Sequence, residues 1–234
     1  MGANQSQVQK TPPKKPELIT LSKEEASQAL AAANKKDYFF DEVDHDELNK
    51  KARASLLYLP MEGPEYVYKG PELKYDVKLI WMHPTAEGGM PHTRPPNLIC
   101  MPIYYPSDKF YKTLVHELVH VDQRVRIRQW IDWCVQNGWL MIDKEEIPER
   151  WLRRCRLNPD TIDYRFWAYQ GRWVPLPMYE REDRPNIREV RVKWWDRKTG
   201  ELLLDPPAEV RDHIRGIDNP EHPFEIAAYK ELQI

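Results

Sequence analysis

His116-Glu117-Leu118-Val119-His120 brings two imidazoles and a carboxylate together in one pentapeptide. An α-helix turns about 100° per residue, so positions i and i+4 return to one face, a turn apart. On a helix, His116 and His120 would therefore chelate one ion. Glu117 would lie beside that face, close enough to take a proton from a metal-held water without coordinating. The chemistry implied is metal-assisted hydrolysis, and Zn2+ is the expected cofactor.

The elements that must position these groups begin with a helix. Ser107 is placed to cap it, Asp108 falls in its first turn, and Asn137-Gly138 forms a stop signal. Leu114, Leu118, Val121 and Val125 recur at helical spacing, Val115 and Val119 widen the apolar side, and Arg124, Arg126 and Arg128 supply polar positions. The competing reading is a core helix with two incidentally stacked histidines.

Catalytic zinc usually has three protein ligands, so a third donor is required. The extended pattern H-E-x-x-H-x-x-G-x-x-H would put glycine at 123 and histidine at 126, where this chain has Gln123 and Arg126. The third ligand must then come from farther away. Glu225 is the first candidate: Pro223 suits the first turn of a helix, and Ile226, Ala227 and Ala228 continue a small, close-packing one. His92, His213 and His222 compete for the role. His92 is also a candidate substrate or oxyanion contact, and Tyr164, Tyr169 and Tyr229 are further oxyanion candidates.

With His116, Glu117, His120, Gln123, Pro223, Glu225 and Ala228 in place, the sequence resembles the gluzincin type of zincin metallopeptidase, in its compact members with H-E-L-x-H-x-x-Q and a later P-x-E-x-x-A segment. Gly89-Met90-Pro91-His92-Thr93-Arg94 is similar to an element of zincin-like proteins of large DNA viruses. The resemblance spans residues 76 to 234 in order, and its specific part is the two zinc segments. It implies an α+β, zincin-like fold: a small mixed sheet packed on the H-E-x-x-H helix, and a second, C-terminal helix supplying the Glu ligand. Larger gluzincins often carry E-x-x-x-D, the Asp supporting a zinc-bound histidine. Tyr229 stands there in this chain, so that support must come from elsewhere.

Residues 1–20, with Pro12-Pro13 and Pro16, read as a disordered arm ahead of a single domain over 21–234. Ser22-Lys23-Glu24-Glu25 is a capping box leading into a helix that ends near Asn34, and Asp46 to Leu57 reads as a second helix. Strands are expected at Glu65–Lys69, Asp76–Met82 and Asn97–Tyr104. A short helix around Glu145–Arg156 should follow, then a hairpin of Tyr164–Tyr169 and Arg172–Leu176 across Gln170-Gly171. A second pair, Glu189–Trp195 and Glu201–Leu204, flanks Arg197-Lys198-Thr199-Gly200. The nine tryptophans should buttress a small core, with substrate stacking by Trp194-Trp195 as an alternative.

A net charge of −2 from 35 basic and 37 acidic residues gives no global case for nucleic-acid binding. Arg150, Arg153, Arg154 and Arg156 read as a solvated helix face. Cys100, Cys134 and Cys155 show no C-x-x-C spacing, which favours a reducing compartment over a disulfide framework. No apolar run approaches a membrane span and the polar N-terminus lacks a secretory core, so the protein is expected on the cytoplasmic side. Met1-Gly2-Ala3-Asn4-Gln5-Ser6 fits the N-myristoylation pattern, with Gly2 acylated and Lys10, Lys14 and Lys15 adding attraction to anionic lipid.

The expected function is zinc-dependent hydrolysis of peptide bonds in a protein or peptide substrate. His116, His120 and Glu225 would bind Zn2+, Glu117 would serve as base, and the substrate would lie along the edge of the Asn97–Tyr104 strand. Two rivals stand beside it: a catalytically weak zincin-fold binding or virion module tethered by the acylated N-terminus, and a zinc hydrolase of a non-peptide bond.

Overall fold

The computed structural model describes residues 15–217 and 219–231 and is an α+β fold with two sheets. In chain order the first half comprises β1 (Leu18–Thr20), α1 (Lys23–Asn34), α2 (Phe39–His45), α3 (Glu47–Arg53), β2 (Val77–Met82), β3 (His92–Arg94), β4 (Leu98–Pro102) and α4 (Ser107–Val125). The second half comprises α5 (Ile127–Gln136), β5 (Trp139–Met141), α6 (Glu149–Leu152), β6 (Trp167–Tyr169), β7 (Trp173–Tyr179), β8 (Val190–Asp196), β9 (Leu202–Leu203), α7 (Ala208–Arg211) and α8 (Pro223–Glu231).

The first sheet is mixed, in the order β1-β2-β4-β3, with β3 antiparallel to β4 and the other pairs parallel. Successive side chains of a strand point to opposite faces, so both faces are covered from one alternation. Ile80, Met82, Leu98 and Cys100 meet Ala26, Leu30 and Ala33 of α1, whose spacing is helical. Leu79, Trp81, Ile99 and Met101 meet Leu114 and Val121 of α4. The capping box at Ser22 and Glu25 forms as expected.

Several boundaries differ from the sequence reading. Leu18–Thr20, expected within the disordered arm, pairs with Val77–Leu79, because the parallel edge of β2 offers it a ladder. Gly2, Lys10 and Lys14 lie outside the described residues, and Lys15 faces Glu72 at 3.6 Å on the surface. Glu65–Lys69 forms no strand; Tyr66 and Tyr68 cover the α4-facing core of the sheet instead. The helix capped by Asp46 ends at Arg53, and α2 precedes it.

The expected single helix to Asn137 is two. Pro106 rather than Ser107 is the N-cap residue, and α4 breaks at Arg126 (φ −110°, ψ 37°). The Asp122 carboxylate secures the break, pairing with the Arg126 guanidinium and accepting from Trp130 Nε1 at 2.9 Å. The change of direction carries Trp130 and Cys134 of α5 onto the second sheet. The apolar stripe is also narrower than expected: Val125 is exposed, while Glu117, His120 and Gln123 are buried. This side of α4 faces a polar site.

The second sheet is an antiparallel meander, β5-β6-β7-β8-β9. Its hairpin turns on Gln170 (φ 49°) and Gly171 (φ 68°), the paired positive angles that suit a tight hairpin. Trp139, Trp167, Trp173 and Trp194 pack towards α5 and α8, and Trp195 packs on the opposite face with Val174, Leu176 and Met178. Trp194 and Trp195 are thus both core residues, on opposite faces of β8, and neither can stack on a substrate. Cys100, Cys134 and Cys155 are buried free thiols.

Candidate metal centre

His116 and His120 project from successive turns of α4, their Nε2 atoms 3.0 Å apart. Glu225 sits in the first turn of α8, and its Oε2 lies 3.1 Å from His116 Nε2 and 3.3 Å from His120 Nε2. Ala227 and Ala228, both fully buried, keep α8 thin where it packs on α4. Among the described residues, His116, His120 and Glu225 form the cluster able to hold a metal ion.

The hydrogen bonding around the cluster fits a cation. Gln123 Nε2 donates to the Phe224 carbonyl at 2.9 Å, which turns its Oε1 towards His120 Nδ1 at 2.7 Å. An amide oxygen only accepts, so His120 Nδ1 carries a proton and Nε2 is the ring atom turned to Glu225. His120 Nε2, His116 Nε2 and the carboxylate oxygen of Glu225 converge on one point. Burial opposes a charge on His120, but the Glu225 carboxylate outweighs it and raises the imidazole to about 10; burial likewise opposes a charge on Glu225, but His120 and His116 hold its carboxyl well below the usual carboxylate range. The site is thus electrostatically prepared for positive charge, and two imidazoles with one carboxylate are suitable ligands for a divalent ion.

Glu225 is itself held. Its Oε1 accepts from Asn158 Nδ2 at 3.0 Å, leaving Oε2 for the histidines. Asn158 Nδ2 also donates to Glu221 Oε1 at 2.6 Å, and Glu221 pairs with Arg156 at 2.6 Å. Arg156 lies 3.8 Å from Glu87, which Arg53 grips at 2.5 and 3.1 Å. Arg156 is therefore a buried member of an ion network, not part of a solvated face, although Arg150 and Arg153 are exposed as expected. Sequence spacing could not show this, because α6 ends at Leu152 and the chain turns inward at Cys155. Asn158, Glu221 and Glu87 carry no signal in the sequence for the same reason: the partners that join them to the site lie tens of residues away.

Tyr229 covers the other ligand, its ring 4.7 Å from that of His116, but His116 Nδ1 is buried without a hydrogen-bond partner. His120 is thus backed by a hydrogen bond at Nδ1, whereas the back of the His116 ring is held by packing alone.

The ligands open into a cleft of about 260 Å³ lined by Glu117, His92, Tyr229, Arg156 and Asp160, among others. Glu117 is 4% exposed, and its Oε2 has no partner. Burial, with Asp160 and Glu225 nearby, raises its carboxyl well above the usual range. His92 lines the same cleft, its Nδ1 3.2 Å from the Met90 carbonyl.

The competing ligands are engaged elsewhere. His222 Nε2 donates to the Tyr164 carbonyl at 2.5 Å and its Nδ1 accepts from Phe224 N at 3.0 Å, so it shapes the entry to α8; burial lowers its pKa to about 4. His213 accepts from Trp139 Nε1 at 3.0 Å. Tyr164 and Tyr169 pack against the tryptophan core, so Tyr229 is the tyrosine of the three that lines the cleft.

No family model, no curated protein and no solved structure matches the chain.

Proposed function

We propose that the protein is a zinc-dependent metallopeptidase of the gluzincin type, with a zincin-like fold. The observation that carries this reading is the convergence of His116, His120 and Glu225, from two helices, beside the buried carboxylate of Glu117, whose Oε2 has no partner. Zinc held there would act as a Lewis acid and make water nucleophilic near neutral pH.

The protein's own groups divide the remaining work. Glu117 takes the proton of the attacking water and passes it to the leaving amine, a role suited to a carboxyl whose burial raises its proton affinity. Gln123 and Asn158 keep the ligand atoms aimed. His92 gives its Nδ1 proton to Met90, so the neutral ring presents an acceptor to the cleft and suits a substrate N–H. Tyr229 is the better donor for the carbonyl oxygen as it gains charge. The expectation of an acylated Gly2, with Lys10, Lys14 and Lys15 as a peripheral membrane contact, belongs to the same proposal. No helix among the described residues is long and apolar enough to cross a membrane.

Metal analysis of purified protein, with cleavage of a peptide library, tests the reading. One zinc per chain and cleavage are expected, and Glu117→Gln should keep the metal and lose turnover. Full activity in that variant would sink the assignment. Zinc without cleavage would favour a binding or virion module.

A further inference from the structure

The sheet edge beside the cleft is closed. β4, where an extended substrate was expected to pair, is an inner strand flanked by β2 and β3, so the edge on this side of the sheet belongs to β3, whose residues are buried. On β3, Thr93 stands opposite Ile99 but sends its N–H outward, to Asp160 Oδ1 at 2.7 Å. Its carbonyl accepts from Arg124 Nη2 at 3.3 Å, and its hydroxyl donates to Asp160 Oδ1 at 2.5 Å. Main-chain groups of alternate residues face the same edge, so positions 91, 93 and 95 share this side. Residues 91 and 95 are both proline and have no N–H. The outer edge therefore offers no free main-chain donor: two are absent by residue type and the third is taken by a carboxylate standing where a substrate carbonyl would bond. Asp160 itself is anchored, its N–H donating to Asn158 Oδ1 at 3.0 Å.

A polypeptide bound as an added strand depends on that row of donors and acceptors. Without it, binding falls to the side chains of a cleft of about 260 Å³, at the small end of ligand-pocket sizes. We propose that the site takes short peptides of a few residues, held by side-chain contacts, rather than an extended chain added to the sheet. This rests on the metallopeptidase reading and names its substrate class. Asp160 and Arg124 are the residues that set the limit.

The test uses the zinc-loaded full chain and a nested set of peptides around one scissile bond, each also made with backbone N-methyl groups away from that bond. Each main-chain hydrogen bond gained by lengthening would raise kcat/KM about fivefold. The expected result is a plateau reached by the shortest cleaved members and little loss on N-methylation. A steady climb with length that N-methylation abolishes overturns the inference and leaves the peptidase reading intact; no cleavage at any length overturns both. Amide exchange supplies a readout free of turnover. The Thr93 N–H should be protected in the wild type and exchange faster in Asp160→Ala, and the same variant should shift preference towards longer peptides. An Asp160→Ala protein with unchanged Thr93 exchange and an unchanged long-to-short ratio also overturns it.

Discussion

Gln123 fixes the orientation of the His120 ring, accepting the Nδ1 proton at 2.7 Å while donating to the Phe224 carbonyl at 2.9 Å. One side chain thereby orients a ligand on α4 and ties that helix to the turn that starts α8, where Glu225 sits. The support expected from an acidic residue at position 229 is supplied instead from within α4, three residues after the histidine it serves.

Removing that support should weaken metal binding before it disturbs the fold. Gln123→Leu is expected to lower zinc affinity about 10–100-fold, the usual cost of losing such a partner. Competition titration against a chromophoric chelator measures this, and unchanged affinity would show that packing alone orients His120.

Metal removal should be visible in stability. A ligand that binds only the folded state, at a free concentration a hundred times its Kd, adds about 2.7 kcal/mol. Chelator should therefore lower the melting temperature of the wild type and leave that of Glu225→Ala, which lacks a ligand, unmoved. An equal fall in both would mean the metal, if bound, is held elsewhere.

The Arg53–Glu87 pair should show the asymmetry of buried charge. Both side chains are almost fully buried, and Tyr58 and Arg156 share the carboxylate. Arg53→Met strands Glu87 and is expected to cost about 3–5 kcal/mol in urea unfolding. Adding Glu87→Gln should recover part of that loss, and a double variant worse than the single would contradict the account.

Acid sensitivity should trace in part to Asp196. Bidentate hydrogen bonds from Arg172, at 2.9 and 2.7 Å, hold its carboxyl well below its ordinary value of 3.8, helped by the Lys198 amide and opposed by burial. A depressed folded-state pKa gives stability that is present above the unfolded value and lost as pH falls below it. Asp196→Asn should therefore flatten the decline of stability below about pH 4, and an unchanged acid limb would assign it to other carboxylates.

The capping box at Ser22, the hairpin turn at Gln170-Gly171 and the stop at Gly138 were legible because each depends on contacts within a few residues. The break at Arg126 was not, since Asp122, Arg126 and Trp130 satisfy helical spacing as well as they satisfy a kink. β1 and β3 are three residues each, too short for periodicity to register, and exist because a longer neighbour supplies the ladder. Trp194 and Trp195 illustrate the limit of composition: alternation on β8 sends both into cores, which residue type alone leaves open.

By itself the sequence determined the two histidines and the carboxylate between them, because i, i+4 spacing on a helix is a local rule. It also singled out Glu225 as the first candidate partner. Only the tertiary structure decided that Glu225 meets them at 3.1 and 3.3 Å, that Asn158 and Gln123 hold the ligands, and that Asp160 closes the edge of β3. The physical reason is range: helical geometry repeats every few residues. A carboxylate 109 residues away and an amide bonded across 67 are brought into place only by packing of the whole chain.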